Sequence, residues 1–113
     1  MIIQRGDILL IELDPTKGSE IRKTRPGIVV SNDIANRYSP LVTIIPLTSK
    51  NIDQIYPQDV LVPKAQGLKT TSKAKASQIR AVDRSRIKSK IGQLEKQILV
   101  KVDIALKLHL GLF

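Results

Sequence analysis

Short apolar runs, each closed by glycine, proline or a charged loop, set the narrowest limit on what this chain can fold into. Ile8 to Leu13, Gly27 to Ser31, Leu41 to Leu47 and Asp59 to Val62 have the length and β-branched content of strands, and they are too short for core helices. Pro46 carries no N–H, so it belongs at an edge, a bulge or a strand end. From Ser72 to Val82, polar or basic residues alternate with small or apolar ones and slip near Gln78, the pattern of a half-buried strand with a bulge. Ile87 to Leu94 predicts one more short strand. Asn32 suits the N-cap of a helical turn running to about Arg37. Only Glu95 to Leu110 carries a long helical period: Ile98, Leu99, Val102, Ala105, Leu106 and Leu110 make one broad apolar face, and Gly111 ends it. About five to seven strands with so little helix between them predict a mainly β (α+β) architecture, an antiparallel and strongly curved sheet with a C-terminal helix.

At 113 residues the chain suits one domain over 1–113. No apolar run approaches the roughly 20 residues that span a bilayer, and the start MIIQRGD lacks the apolar stretch of a secretory signal. Cysteine is absent, which rules out disulfides and thiolate metal sites. A cytoplasmic, non-membrane protein is the expectation. The formal net charge is +9, and it is concentrated. Lys64, Lys69, Lys73, Lys75, Arg80, Arg84, Arg86, Lys88 and Lys90 face a single acid, Asp83, across that stretch. A basic surface of this kind suits a polyanion, above all nucleic acid.

Several chemistries are excluded or disfavoured by what the chain lacks. His109 is its only histidine, so a two-histidine acid–base site within one chain is impossible. The carboxylates are scattered without the spacing of an acidic magnesium site. Neither a G-x-x-x-x-G-K-[ST] nor a G-x-G-x-x-G loop occurs. What remains is a site of Arg, Thr, Ser, Asn and backbone groups, which stabilise developing negative charge better than they shuttle protons. The polar loop from Asp14 to Pro26 crowds Arg22, Lys23 and Arg25 at the edge of the second strand, and Thr48-Ser49 emerges at the tip of the third. Cleavage of RNA by its own 2′-hydroxyl is a reaction such groups can serve. The substrate supplies the nucleophile, a forked guanidinium suits the phosphorane oxygens, and a threonine hydroxyl adds a compact donor. Tyr38, Tyr56 and Phe113 are too few for base stacking to dominate recognition.

Arg5-Gly6-Asp7-Ile8, Asp14-Pro15-Thr16-Lys17-Gly18-Ser19-Glu20, Lys23-Thr24-Arg25-Pro26, Ser31-Asn32-Asp33, Pro46-Leu47-Thr48-Ser49 and Gln78-Ile79-Arg80-Ala81-Val82-Asp83 stand in one order. In this the whole chain resembles the MazF/PemK family, toxins of bacterial toxin–antitoxin systems. The resemblance implies a compact SH3-like β-barrel, a homodimer, and a sequence-specific, metal-independent endoribonuclease without a cofactor. Single-stranded RNA would be cut to 2′,3′-cyclic phosphate and 5′-hydroxyl ends, and a cognate antitoxin with an acidic tail would neutralise the toxin. Arg25 matches the family's catalytic arginine and Thr48 its catalytic threonine. Ser19, Glu20 and Asn32 match positions that contact RNA. Ser49, Lys75, Ser77, Gln78 and Arg80 complete the expected RNA-binding set.

The chain departs from many members at Ser77, where an acid is common, at Ser19, where some carry histidine, and at Leu9 and Leu10, where an aromatic is common. A shifted cleavage preference is the expectation. Two alternatives stay open on sequence: a non-catalytic toxin of this barrel directed at a protein such as DNA gyrase, and a plain nucleic-acid-binding module.

Overall fold

Alternate residues of the first strands point into two separate cores. In the computed structural model, which describes residues 1–112, β1 (Asp7–Glu12), β2 (Thr24–Val29) and β3 (Leu41–Thr48) form the centre of the sheet. Ile8, Ile28, Ile45 and Leu47 join one buried cluster, and Leu9, Ile11, Val29, Val42 and Ile44 join the other. Strands buried on both faces need apolar residues at successive positions, which explains their unbroken apolar runs.

Around this centre lie α1 (Asp33–Tyr38), β4 (Asp59–Val62), β5 (Ser72–Lys75), β6 (Arg80–Asp83), β7 (Ile87–Gln93) and α2 (Lys96–Leu110). All pairings are antiparallel, in the order β4-β5-β3-β2-β1-β7, with β6 also pairing β3. Asn32 caps α1 by accepting from the Ala35 amide, as its sequence position predicts. α2 presses Val102 and Ala105 into the first cluster, and Gly111 closes it in the left-handed conformation. The single bulged strand expected over Ser72–Val82 is instead two strands, β5 and β6, separated at the slip by a 3₁₀ turn, Ala76–Gln78, because each pairs with a different part of β3. Among the described residues no helix is long and apolar enough to cross a membrane.

Two details differ from expectation. β2 begins at Thr24, so Arg25 and Pro26 lie within the strand and not in the loop before it. Pro46 sits inside the central strand. It falls between Ile44, the last residue paired with β6, and Leu47, the first paired with β5, where neither neighbour covers it.

The ends of the curved sheet meet without pairing. A 3₁₀ turn after β4, Lys64–Gln66, packs its backbone on β7 at a seam of two glycines. A Cβ on Gly92 would stand 2.2 Å from the Gln66 carbonyl oxygen, and one on Gly67 would stand 2.4 Å from that of Ile91. Gln66 is buried there, and its Oε1 accepts from the Glu95 amide at 2.8 Å, tying the start of α2 to the seam.

Much of the basic stretch is engaged by other groups of the fold, so the expected basic surface is partly neutralised by pairing, although of its nine cations only Lys73 is buried. Lys73 is buried, with its ammonium 3.8 Å from Asp59 and donating to the carbonyls of Asn51 (3.0 Å) and Gln54 (2.7 Å). Lys75 also pairs with Asp59 at 3.3 Å. Lys88 meets Glu12 and Lys90 meets the buried Asp7, both at 3.2 Å. The Lys90 contact lacks hydrogen-bond geometry at Asp7 Oδ1, so it is an electrostatic partner only. Arg80, Arg84 and Arg86 donate to the carbonyls of Leu13, Ser39 and Glu12. Among the described residues, Lys64 and Lys69 alone of the nine have no side-chain partner.

Two stability outcomes follow from the seam and the buried lysine. Gly92→Ala should cost about 2 kcal/mol or more, because its Cβ would meet backbone that cannot rotate away. Gly18→Ala, with φ +54° and nothing within 4 Å, should cost only about 1 kcal/mol. Lys73→Met strands two loop carbonyls and half of the Asp59 pairing, and should cost about 2–4 kcal/mol in urea unfolding. A loss below about 1 kcal/mol would mean that water takes over the lysine's contacts.

Candidate active site

Two open clefts meet at Arg25 and Thr48. One, of about 320 Å³, is lined by Gly18, Ser19, Glu20, Ile21, Arg22 and Lys50 together with Arg25 and Thr48. The other, of about 370 Å³, also contains Arg25 and Thr48, and its apolar walls come from Leu10, Pro26, Leu47, Leu68 and Ile91. β2 and β3 pair with Gly27 opposite Pro46 and Ile28 opposite Ile45. Continuing that register outward sets Arg25 opposite Thr48, and directly opposed side chains on one sheet face lie close enough to act on one group.

Arg25 is half-buried, and its Nε donates to the Arg22 carbonyl at 3.2 Å. That bond holds the base of the fork and leaves the terminal nitrogens for a ligand. No carboxylate among the described residues pairs with it. Glu20 accepts instead from the Lys17 amide, and Asp33 from the Arg5 amide. Thr48 Oγ1 accepts from the Lys50 amide at 3.2 Å. This contact caps the strand end while leaving the hydroxyl proton available to donate.

The loop between β1 and β2 is held from behind. Gln78 Oε1 accepts from the Ile21 amide at 2.7 Å, and its Nε2 donates to the Ser19 carbonyl at 3.4 Å. Both ends of the Gln78 amide therefore serve the loop. Arg80, through Leu13, supports the strand end where the loop begins. At that end Asp14 is held below its ordinary carboxylate range, first by the Thr16 hydroxyl and then by the Lys23 backbone.

The expected site residues thus separate. Arg25 and Thr48 come together at the junction, Ser19 and Glu20 line the polar cleft, and Ser49 lines the apolar one. Gln78 and Arg80 line neither and stand behind the loop. Lys75 is engaged with Asp59, and Ser77 is exposed on its 3₁₀ turn outside both clefts. Asn32 stands beyond the far end of β2 from Arg25, committed to capping α1. His109 lies on α2 and lines neither cleft. Among the described residues no three His, Asp or Glu side chains gather to hold a metal.

The clefts add residues outside the expected site set: Arg22, already placed in the crowded basic loop, and Lys50 in the polar cleft, and Thr24, Lys69 and Thr70 in the apolar one. Lys50 directly follows the Pro46–Ser49 motif, and Lys69 was counted only as part of the basic stretch. The glycine seam then brings the segment carrying Lys69 against β7.

The sequence matches, over residues 4–110, the family described as PemK-like, MazF-like toxin of type II toxin-antitoxin system. It is 41% identical to Endoribonuclease MazF9 of Mycobacterium tuberculosis over 118 aligned residues, covering 99% of this chain and 99% of that protein. The fold superposes on the crystal structure of MazF from Deinococcus radiodurans with a TM-score of 0.85 at 26% identity, covering 98% of each chain. A mycobacterial endoribonuclease solved in complex with its cognate antitoxin shares the fold with a TM-score of 0.83 at 22% identity, covering 98% of this chain and 97% of that one. Matched over nearly its whole length, with the fold in common, this chain belongs to the PemK/MazF family of type II toxin–antitoxin toxins.

Proposed function

We propose that the protein is an endoribonuclease toxin that cuts single-stranded RNA through attack of the 2′-hydroxyl on the adjoining phosphate. The observation that carries this reading is the junction of two clefts at Arg25 and Thr48. A strand lying across both would place one phosphate there. The 2′-oxygen bonds to phosphorus as its proton passes to solvent, the bond to the 5′-oxygen breaks as that oxygen takes a proton from solvent, and the products end in a 2′,3′-cyclic phosphate and a 5′-hydroxyl. Arg25 offers its terminal nitrogens to the phosphorane oxygens, where charge grows as the bond forms. Thr48 donates a hydrogen bond from its hydroxyl to the same phosphate and fixes its orientation. Ser19, Glu20, Arg22 and Lys50 line the path on one side, and Ser49 does so on the other. The reaction draws its nucleophile from the substrate and needs no metal.

The partners we propose are RNA, a cognate antitoxin with an acidic segment, and a second copy of the chain. The +9 net charge favours the first two. Exposed apolar side chains, Val100, Ile104 and Leu108 on α2 and Ile34 and Tyr38 on α1, supply surface for protein assembly. A role confined to poisoning a protein target would leave a bare arginine and a hydroxyl donor at one junction unexplained.

Purified protein incubated with a mixed single-stranded RNA pool in excess EDTA should leave cyclic-phosphate and 5′-hydroxyl ends. Arg25→Ala should lower kcat/KM about a thousandfold, and Thr48→Val about a hundredfold, the range for loss of one donor to a developing anion. RNA bound but left uncut, or cut equally well by Arg25→Ala, would overturn the assignment.

A further inference from the structure

We infer that the apolar cleft is a subsite for one unstacked nucleobase next to the scissile phosphate, and that Lys69 and Thr70 read the edge of that base. The inference rests on the endoribonuclease reading and assigns a role to the half of the junction that the chemistry leaves unused.

The two clefts share Arg25 and Thr48 but differ in kind. Toward Ser19, Glu20, Arg22 and Lys50 the surface is polar and charged, suited to sugar and phosphate. On the other side, Leu10, Pro26, Leu68 and Ile91 present aliphatic walls, with hydroxyls and one lysine among them. A nucleobase has the matching character, with apolar faces and a polar edge. Single-stranded RNA is the substrate whose bases are available to be turned into such a slot. Among the described residues no aromatic side chain lines the cleft, so the base would be held between aliphatic groups and identified by its edge.

The supports differ as well. The polar cleft is built largely on the loop between β1 and β2, which Gln78 tethers through two hydrogen bonds. The apolar cleft is walled by β1, β2, β3 and β7 and by the segment from Gly67 to Ser72. The Gly67–Gly92 contact and the Gln66 bond to the Glu95 amide hold that segment against β7. Discrimination requires walls that do not yield to the wrong base, and this cleft has them.

Lys69 completes the argument. Most of its basic neighbours are committed to carboxylates or carbonyls, yet it is exposed, without a side-chain partner among the described residues, and lines this cleft. Apart from Arg25 it is the only cation among the described residues that line the cleft. Beside it, Thr70 is exposed and offers a hydroxyl that can donate or accept.

The test uses synthetic RNA oligonucleotides carrying the sequence best cut by the unmodified protein. Each nucleotide around the scissile bond is varied in turn or made abasic. The unmodified protein should show its strongest preference at one nucleotide adjoining that bond. Lys69→Ala and Thr70→Val should each lower kcat/KM on the preferred base about tenfold, but by less than about twofold on the substrate abasic there, with preferences elsewhere intact. Both residues are exposed, so thermal unfolding should stay unchanged. A uniform loss across all sequences would make Lys69 a phosphate contact and overturn the subsite, as would an unaltered base preference. Failure of the unmodified protein to cut any RNA would refute the endoribonuclease reading itself, and the subsite would fall with it.

Discussion

Burial of β1, β2 and β3 on both faces is the constraint on which the rest of the molecule depends. It gives a chain of this size two cores around one sheet, and it removes the usual guide to strand register. Where only one face is buried, a slip of one residue moves apolar side chains into water and is heavily penalised. Here both faces are apolar, so the register needs other pins. Gly27 is one of them: a Cβ there would stand 2.8 Å from the Ile11 Cδ1 atom, so a larger residue would have to displace that buried side chain. Pro46 is another, since a residue without an N–H fits the one stretch of β3 that neither β5 nor β6 covers. The same register places Arg25 across from Thr48, so the core's alignment is also the alignment of the site.

Charge serves the architecture before it serves a ligand. Lys73 under the loop after β3, Lys90 against Asp7 and Arg80 on Leu13 hold strand ends and loops in place. A count of basic residues therefore overstates the surface available to a polyanion. The cations lining the clefts, Arg22, Arg25, Lys50 and Lys69, are fewer, and of these Arg25 stands where the two clefts meet. One forked cation at that junction positions a phosphate better than a diffuse basic face does.

The two sides of that junction have different mechanical character. Strands and a glycine seam form one, and a tethered loop forms the other. A loop anchored by few bonds can open to admit a chain, while a walled cleft can discriminate what enters. Gln78 matters on this account as the tether of the opening side. Both hydrogen bonds of its side-chain amide go to loop backbone.

The sequence by itself determined the elements. Strand lengths, the Asn32 cap, the Gly111 stop and the apolar face of α2 are written within windows of a few residues, where periodicity and turn chemistry act directly. It also singled out Arg25 and Thr48, because their motifs are contiguous. Only the tertiary structure decided that Arg25 lies within β2, that Lys73 is buried, that Gln78 holds the loop, that Asn32 caps α1 beyond the other end of β2 from the junction, and that Lys69 and Thr70 line a cleft. Each of those depends on contacts between residues distant in the chain. Desolvation and strand register are set by what packs from elsewhere, and no local pattern of charge or hydropathy records it.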